Sequence, residues 1–290
     1  APRAQARLTA VKCFIACITS DVDRARSLAD SALQTLVPAD EDFRADVFGA
    51  LGDTCRRIGL WDDARGYYRH MLRQTGSPAG HVQALHAWGA LADLELRRGR
   101  LRGAAGYWRQ ALERFESPEL WGGYELPAVG WVHIRQGEIF YEWNDLQAAA
   151  DACDRGRERA ELGGDPRAII ASGLLSARLH LARGDADAAE ADLERIRDVA
   201  AETQFPDLQA ELERRQVEIW LAQGRLRAAV LWTDEAIARD AGALPDQEPV
   251  TLAIARVLIT KGDLSSGDQA LRVLAPVLGQ AEADGRDGLR

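Results

Sequence analysis

Hydrophobic positions along this chain recur at spacings of three, four and seven residues, the signature of one face of an α-helix, and nowhere alternate as along a half-buried strand. The stripes themselves repeat. Ser20-Asp21-Val22-Asp23-Arg24-Ala25 lines up with Gly59-Leu60-Trp61-Asp62-Asp63-Ala64 and Gly99-Arg100-Leu101-Arg102-Gly103-Ala104. It lines up again with Asn144-Asp145-Leu146-Gln147-Ala148-Ala149, Gly184-Asp185-Ala186-Asp187-Ala188-Ala189, Gly224-Arg225-Leu226-Arg227-Ala228-Ala229 and Gly262-Asp263-Leu264-Ser265-Ser266-Gly267. Successive first residues are 39, 40, 45, 40, 40 and 38 positions apart.

Each copy reads as a helix, a tight turn and a second helix. The first residue is Gly, Asn or Ser, types that end a helix in a left-handed conformation or cap one. An Asp often follows, suited to capping the next helix. Five places on stands Ala or Gly, which implies close helix approach. Seven before the turn are Cys13, Gly52, Ala92, Gly137, Ala177, Val217 and Ala255, all compact; four before are Ala16, Cys55, Glu95, Phe140, His180, Trp220 and Leu258. Twelve after it come Ala32, Met71, Ala111, Gly156, Ile196, Ala236 and Leu274. The predicted pairs are 4–18 with 22–36, 42–57 with 61–74, 80–97 with 101–115, 127–142 with 146–161, 167–182 with 186–202, 207–222 with 226–240, and 249–260 with 265–283. Pro38, Pro78, Pro118, Pro127, Pro166, Pro206, Pro245 and Pro249 fall between helices, where proline starts or separates them. The fold class expected is all-α: a right-handed superhelix, or α-solenoid, of about seven helix pairs forming a single domain over 1–290. Neither end has a polar cap, so a segment of a longer protein is expected.

The repeat resembles tetratricopeptide repeats, with a period near 40 rather than 34. The stretch Gln136-Gly137-Glu138-Ile139-Phe140-Tyr141-Glu142-Trp143-Asn144-Asp145-Leu146, with Ala148 and Ala149, is similar to the YEWNDL segment of MalT-like regulators, the large ATP-binding LuxR-type transcription factors. Ala255-Arg256-Val257-Leu258-Ile259-Thr260-Lys261-Gly262-Asp263 adds to the likeness. The resemblance implies a superhelix that receives an inducer or partner protein and signals to an NTPase switch and a DNA-binding helix-turn-helix. Neither flanking part is in this sequence: it has no G-x-x-x-x-G-K-[ST] loop and no basic helix-turn-helix. ATP is therefore implied only for the missing NTPase part, and no cofactor is expected here.

Charge and chemistry narrow the reading further. The net charge of −9 argues against direct nucleic-acid binding. No apolar run is long enough for a membrane span and no signal peptide is evident, so a cytoplasmic location is expected. Cys13, Cys17, Cys55 and Cys153 lack CxxC spacing and read as small buried residues, the alternative being a redox pair at Cys13 and Cys17. The five histidines show no metal-ligand spacing, no nucleophile elbow occurs, and no enzyme is expected.

If the first helices line a groove, positions 13, 10, 6, 3 and 2 before the turn face it. These are Asp53, Arg56 and Arg57 in the second pair, and His86, Asp93 and Arg97 in the third. The fourth adds Trp131, Glu138, Tyr141 and Glu142, the fifth Arg178, the sixth Arg214 and Glu218, and the seventh Arg256. Rings beside charged groups suit a small polar effector, including a sugar, or a regulatory protein or peptide. The alternatives are that these residues pack and form charge ladders, and that the chain is a generic protein-binding scaffold. Self-association is a further possibility. Trp143 is assigned to packing, and the inserted Ser117–Glu125 stretch, with Trp121 and Tyr124 around Gly122-Gly123, is a candidate lid.

Overall fold

A computed structural model describes residues 2–75, 80–116, 128–203, 205–239 and 248–283, which form fourteen α-helices and one 3-10 turn without a strand. The chain divides into two compact units, Ala1–Gly123 and Tyr124–Arg290, with the boundary inside the inserted stretch that makes one step 45 residues long. The candidate lid lies outside the described residues.

The first unit holds α1 (Pro2–Ile18), α2 (Val22–Thr35), the 3-10 turn Pro38–Asp40, α3 (Glu41–Arg57), α4 (Trp61–Arg73), α5 (His81–Arg97) and α6 (Leu101–Phe115). Each odd helix pairs with the even helix that follows, and first helices also pack on one another, α1 on α3 and α3 on α5. The second unit repeats the scheme with α7 (Val129–Glu142), α8 (Leu146–Gly163), α9 (Pro166–Ala182), α10 (Ala186–Glu202), α11 (Pro206–Ala222), α12 (Leu226–Arg239), α13 (Glu248–Lys261) and α14 (Leu264–Ala283). There α9 packs on both α7 and α11, and α11 on α13. Every predicted helix is present, with ends displaced by no more than two residues.

The turns explain the period. Ser20, Gly59, Gly99, Asn144, Gly184, Gly224 and Gly262 all adopt positive φ, between 58° and 80°. In six copies the next residue's N–H reaches back to the carbonyl five residues earlier: Asp21 to Ala16, Leu60 to Cys55, Arg100 to Glu95, Asp145 to Phe140, Asp185 to His180 and Arg225 to Trp220, at 2.8–3.0 Å. That bond satisfies a carbonyl the helix end would otherwise leave open. Where the second turn residue is Asp it also caps the following helix, as Asp21, Asp145 and Asp185 do.

Packing follows from small residues. Ala25, Ala64, Ala104, Ala149, Ala189 and Ala229, five past each turn, are fully buried. The seventh copy departs from this expectation. Gly267 has open space where a side chain would stand, and Ser266 is buried instead, its hydroxyl bonded to Asp263. Helix α14 is thus turned so that Ser266 and Ala270 face inward, and Leu274 is only half-buried. The closest backbone approach is in the α7–α8 pair. A Cβ on Gly130 would stand 2.8 Å from the Gly156 carbonyl oxygen, and one on Gly156 would stand 2.5 Å from Ile134 Cγ1.

These contacts set two opposite expectations. Gly156→Ala overfills the α7–α8 contact and should destabilise the protein by about 1–3 kcal/mol. Ser20→Gly relieves a left-handed backbone at an exposed turn and should stabilise by up to about 1 kcal/mol. Urea-denaturation midpoints for the two variants should move to opposite sides of the wild type.

Candidate functional site

The nominated residues fall into two groups, one in each unit. In the first unit Asp53 is the hub. Its Oδ1 accepts the buried Tyr68 hydroxyl at 2.7 Å and lies 3.2 Å from His86 Nε2, so α3, α4 and α5 meet at one carboxylate. Arg56 stands 4.0 Å from the same oxygen. The hydrogen bond His86 donates to the Asp53 carboxylate raises the His86 pKa above its ordinary value, against a smaller opposing effect of burial. Burial works against ionisation of Asp53, but His86, Tyr68 and Arg56 outweigh it and hold the carboxyl below its usual range. Asp46 also acts on His86 through charge, and Asp93 on Arg56. Two nominees face elsewhere. Arg57 donates to the Cys17 carbonyl at 2.6 Å, and the Arg97 guanidinium lies 5.3 Å from the Trp61 ring.

In the second unit the position six before each turn runs Glu138, Arg178, Glu218 and Arg256 along α7, α9, α11 and α13. The signs alternate from helix to helix, and ion pairs join α7 to α9 and α11 to α13. Arg178 donates to Glu142 at 2.5 Å, and its guanidinium lies 4.0 Å from the centre of the Tyr141 ring. Glu218 accepts from Arg256 at 2.6 Å and from Arg214 at 3.3 Å, and it also holds Arg215. Trp131 lies apart from this row, flanked by Arg135 at 5.6 Å and Arg167 at 5.5 Å.

Two arginines that pair with residues of this row were not nominated. Arg215 is buried between Glu211 and Glu218, and burial pushes its guanidinium below its ordinary pKa. The signal was present in the sequence: Arg215 sits nine before its turn, where the neighbouring copies carry Leu175 and Ala253. Arg135 occupies the same place in the fourth copy and pairs with Glu138 at 2.6 Å. Trp143, expected to pack, stands half out in solvent against Phe140, with ring centroids 6.1 Å apart. All four cysteines are buried and free, and no group of potential metal ligands occurs among the described residues. Nor is any helix among them long and apolar enough to cross a membrane.

Residues 6–290 match the model of the MalT-like TPR region. The chain belongs to that family. As a MalT-like TPR region it resembles solved helical-repeat structures throughout its length. The apo form of RapI is 12% identical and covers 97% of this chain and 98% of its own, with a TM-score of 0.66. A Rap protein complexed with Competence and Sporulation Factor is 14% identical, covering 97% and 90%, with a TM-score of 0.62. A STAND signal-transduction ATPase with a tetratricopeptide repeat sensor, from Pyrococcus horikoshii, is 16% identical, covering 97% of this chain but 43% of its own, with a TM-score of 0.59. No curated protein matches the chain. Within this MalT-like TPR region the YEWNDL segment has a double role. Asn144 and Asp145 build the turn, while Tyr141 and Glu142 hold Arg178 of the next pair.

Two measurements separate the structural from the accessible charges. Glu218→Gln leaves Arg215 buried with one carboxylate fewer and should cost about 3–5 kcal/mol. Arg256→Ala removes an ion pair whose arginine is mostly in water and should cost at most about 1 kcal/mol. In the first unit, the raised His86 pKa means that its stabilising contribution is complete below its unfolded value near 6.5 and is lost as pH rises through the folded one. The melting-temperature advantage of the wild type over His86→Gln should therefore shrink between pH 6 and pH 8. Comparing against the variant cancels the opposite contributions of His70 and His81, whose pKa values burial lowers.

Proposed function

We propose that this chain is the sensing element of a MalT-like transcriptional regulator, receiving a small polar effector or a peptide on the first-helix face of its second unit. Tyr141, Glu142, Arg178, Glu218 and Arg256 are the contact residues in this reading. The carrying observation is the row of charges of alternating sign, one per helix, beside a ring already stacked on an arginine. A row of fixed donors and acceptors about one repeat apart suits an extended polar ligand, and only the partly exposed members, Glu142 and Arg256 first, are free to exchange partners. Family membership supports the reading, as does the likeness to a repeat sensor of a signal-transduction ATPase and to a Rap protein solved with Competence and Sporulation Factor.

Binding would act by favouring one of two states of the intact regulator, so the effector must bind the two states with different affinities. In this reading the NTPase and the helix-turn-helix belong to the intact protein, and this segment neither hydrolyses ATP nor touches DNA. The competing reading is a protein-binding scaffold without a transcriptional role.

The test is a panel of polar metabolites, sugars included, and a display library of unstructured peptides, screened against the chain. A ligand at about 100 times its dissociation constant stabilises the bound state by about 2.7 kcal/mol, a measurable melting shift. Arg178→Ala and Arg256→Ala, checked for helicity by circular dichroism, should weaken that ligand at least tenfold. Binding unchanged in both variants would displace the proposed face, and capture of folded proteins only would favour the scaffold.

A further inference from the structure

Second helices lie along their own first helices, and the residue twelve after the turn marks the contact. A Cβ on Gly49 would meet Met71, one on Gly173 would meet Ile196, and Gly156 lies against Gly130 and Ile134. These partners stand ten, eleven or fourteen before the turn and are small or apolar. Core clusters run within pairs accordingly. Ile134 of α7 packs with Ala149 and Cys153 of α8, and Ile170, Leu174 and Ala177 of α9 pack with Ala189, Leu193 and Ile196 of α10.

The sixth pair departs from this scheme. On α11 the position ten before the turn is Arg214, where every other copy carries Ala, Gly, Ile or Leu, and Glu213 stands beside it. Drying two charges against a second helix is costly, and α12 does not do it. Among the described residues α12 makes less contact with its own first helix than any other second helix does. Ala236, twelve after the turn, is buried instead with Ile254 and Leu258 of α13 and Ala270 of α14, a cluster that no described residue of α11 joins. Helix α11 meets α12 in one apolar knot, Val217 with Ala229, which also takes in Ala253 and Val257 of α13. Beyond the knot stands a polar clasp. Glu213 accepts from Trp232 Nε1 at 3.3 Å and from Arg239 at 3.0 Å. Arg239 is mostly in water, and an ion pair so exposed holds its partners weakly.

We propose that the sixth pair is a hinge, at which the second half of α12 moves with α13 and α14 as one body against α7 to α11. The body turns about the knot of Val217, Ala229, Ala253 and Val257 and opens or closes the Glu213 clasp. Helices packed through small side chains can shift on one another without breaking the apolar contact. The Arg256–Glu218 pair also crosses between the two bodies, with its arginine mostly in water. A dry α11–α12 face would lock the pair, as it does in the fourth and fifth; the charges at 213 and 214 keep it free.

Distances between spin labels on introduced cysteines, read by double electron–electron resonance in the whole chain, test the hinge. Glu194→Cys with Asp234→Cys spans it, from α10 to α12. Glu158→Cys with Glu194→Cys stays within one body, and Asp234→Cys with Asp268→Cys within the other. These four positions are exposed and the native cysteines are buried, so the labels go to the introduced thiols. The spanning pair should give a distance distribution about twice as broad as either control. Glu213→Ala should broaden it further and leave both controls unchanged. Arg239→Gln, at an exposed residue, should act the same way to a lesser degree, and it serves if the first variant loses helicity. A spanning distance as narrow as the controls overturns the proposal, as do clasp variants that leave it unaltered. Broadening shared by the α12–α14 control also overturns it, since α12 would then fray alone.

Discussion

The left-handed turn after each first helix is the constraint on which the rest depends. An L-residue resists that conformation, and five of the seven turn positions are glycine, with Asn144 and Ser20 the exceptions. The turn fixes where one helix stops and the next starts, so the two helices of a pair meet in the same register each time. Residues at equal distances from successive turns then lie side by side on neighbouring helices. The Arg178–Glu142 and Arg256–Glu218 pairs, 36 and 38 residues apart, are made possible by that regularity.

Two kinds of energy act across this lattice of positions. Burial of Ala, Val, Leu and Ile between pairs supplies cohesion, and the alanines five past six of the seven turns let the helices approach closely enough for it. The charged rows add little cohesion where they are wet. Arg215 is the exception that costs most. It is taken out of water between two glutamates, which makes its surroundings intolerant of change in a way that Arg256, mostly in water, is not.

Fold was legible in the sequence because the features that define it are local. Seven turns, fourteen helices and the compact positions seven before each turn could be read without knowing any contact. The seventh copy was misread for a physical reason: its turn chemistry is intact, but the rotation of α14 is set by packing of Ser266 and Ala270, which the turn does not encode. Much of the candidate site was half-legible for a related reason. The face of Tyr141, Glu142, Arg178 and Glu218 followed from helical spacing, whereas Arg57 and Arg97 share the spacing and turn instead to the Cys17 carbonyl and the Trp61 ring. Long arginines reach several partners, and their choice depends on which acceptor stands nearby in three dimensions. Arg215 escaped because the position nine before the turn was assigned neither to the groove nor to the core, and its burial between Glu211 and Glu218 depends on three-dimensional packing.

A stack whose units touch only their neighbours has energetics close to a sum of pair and interface terms. In the proposed reading, an effector bridging several first helices would couple terms that are otherwise independent. Its contribution is greatest where the intrinsic interface contains exchangeable polar links rather than dry packing. Between α7 and α9 both are present: Leu175 and Leu179 are buried, while Glu142 is half in water. A ligand that took over the Glu142 link could alter the angle between pairs without opening their core. If the chain senses an effector as proposed, transmission by small adjustments at many polar rungs, over a cohesive alanine-rich core, is the response these contacts would favour.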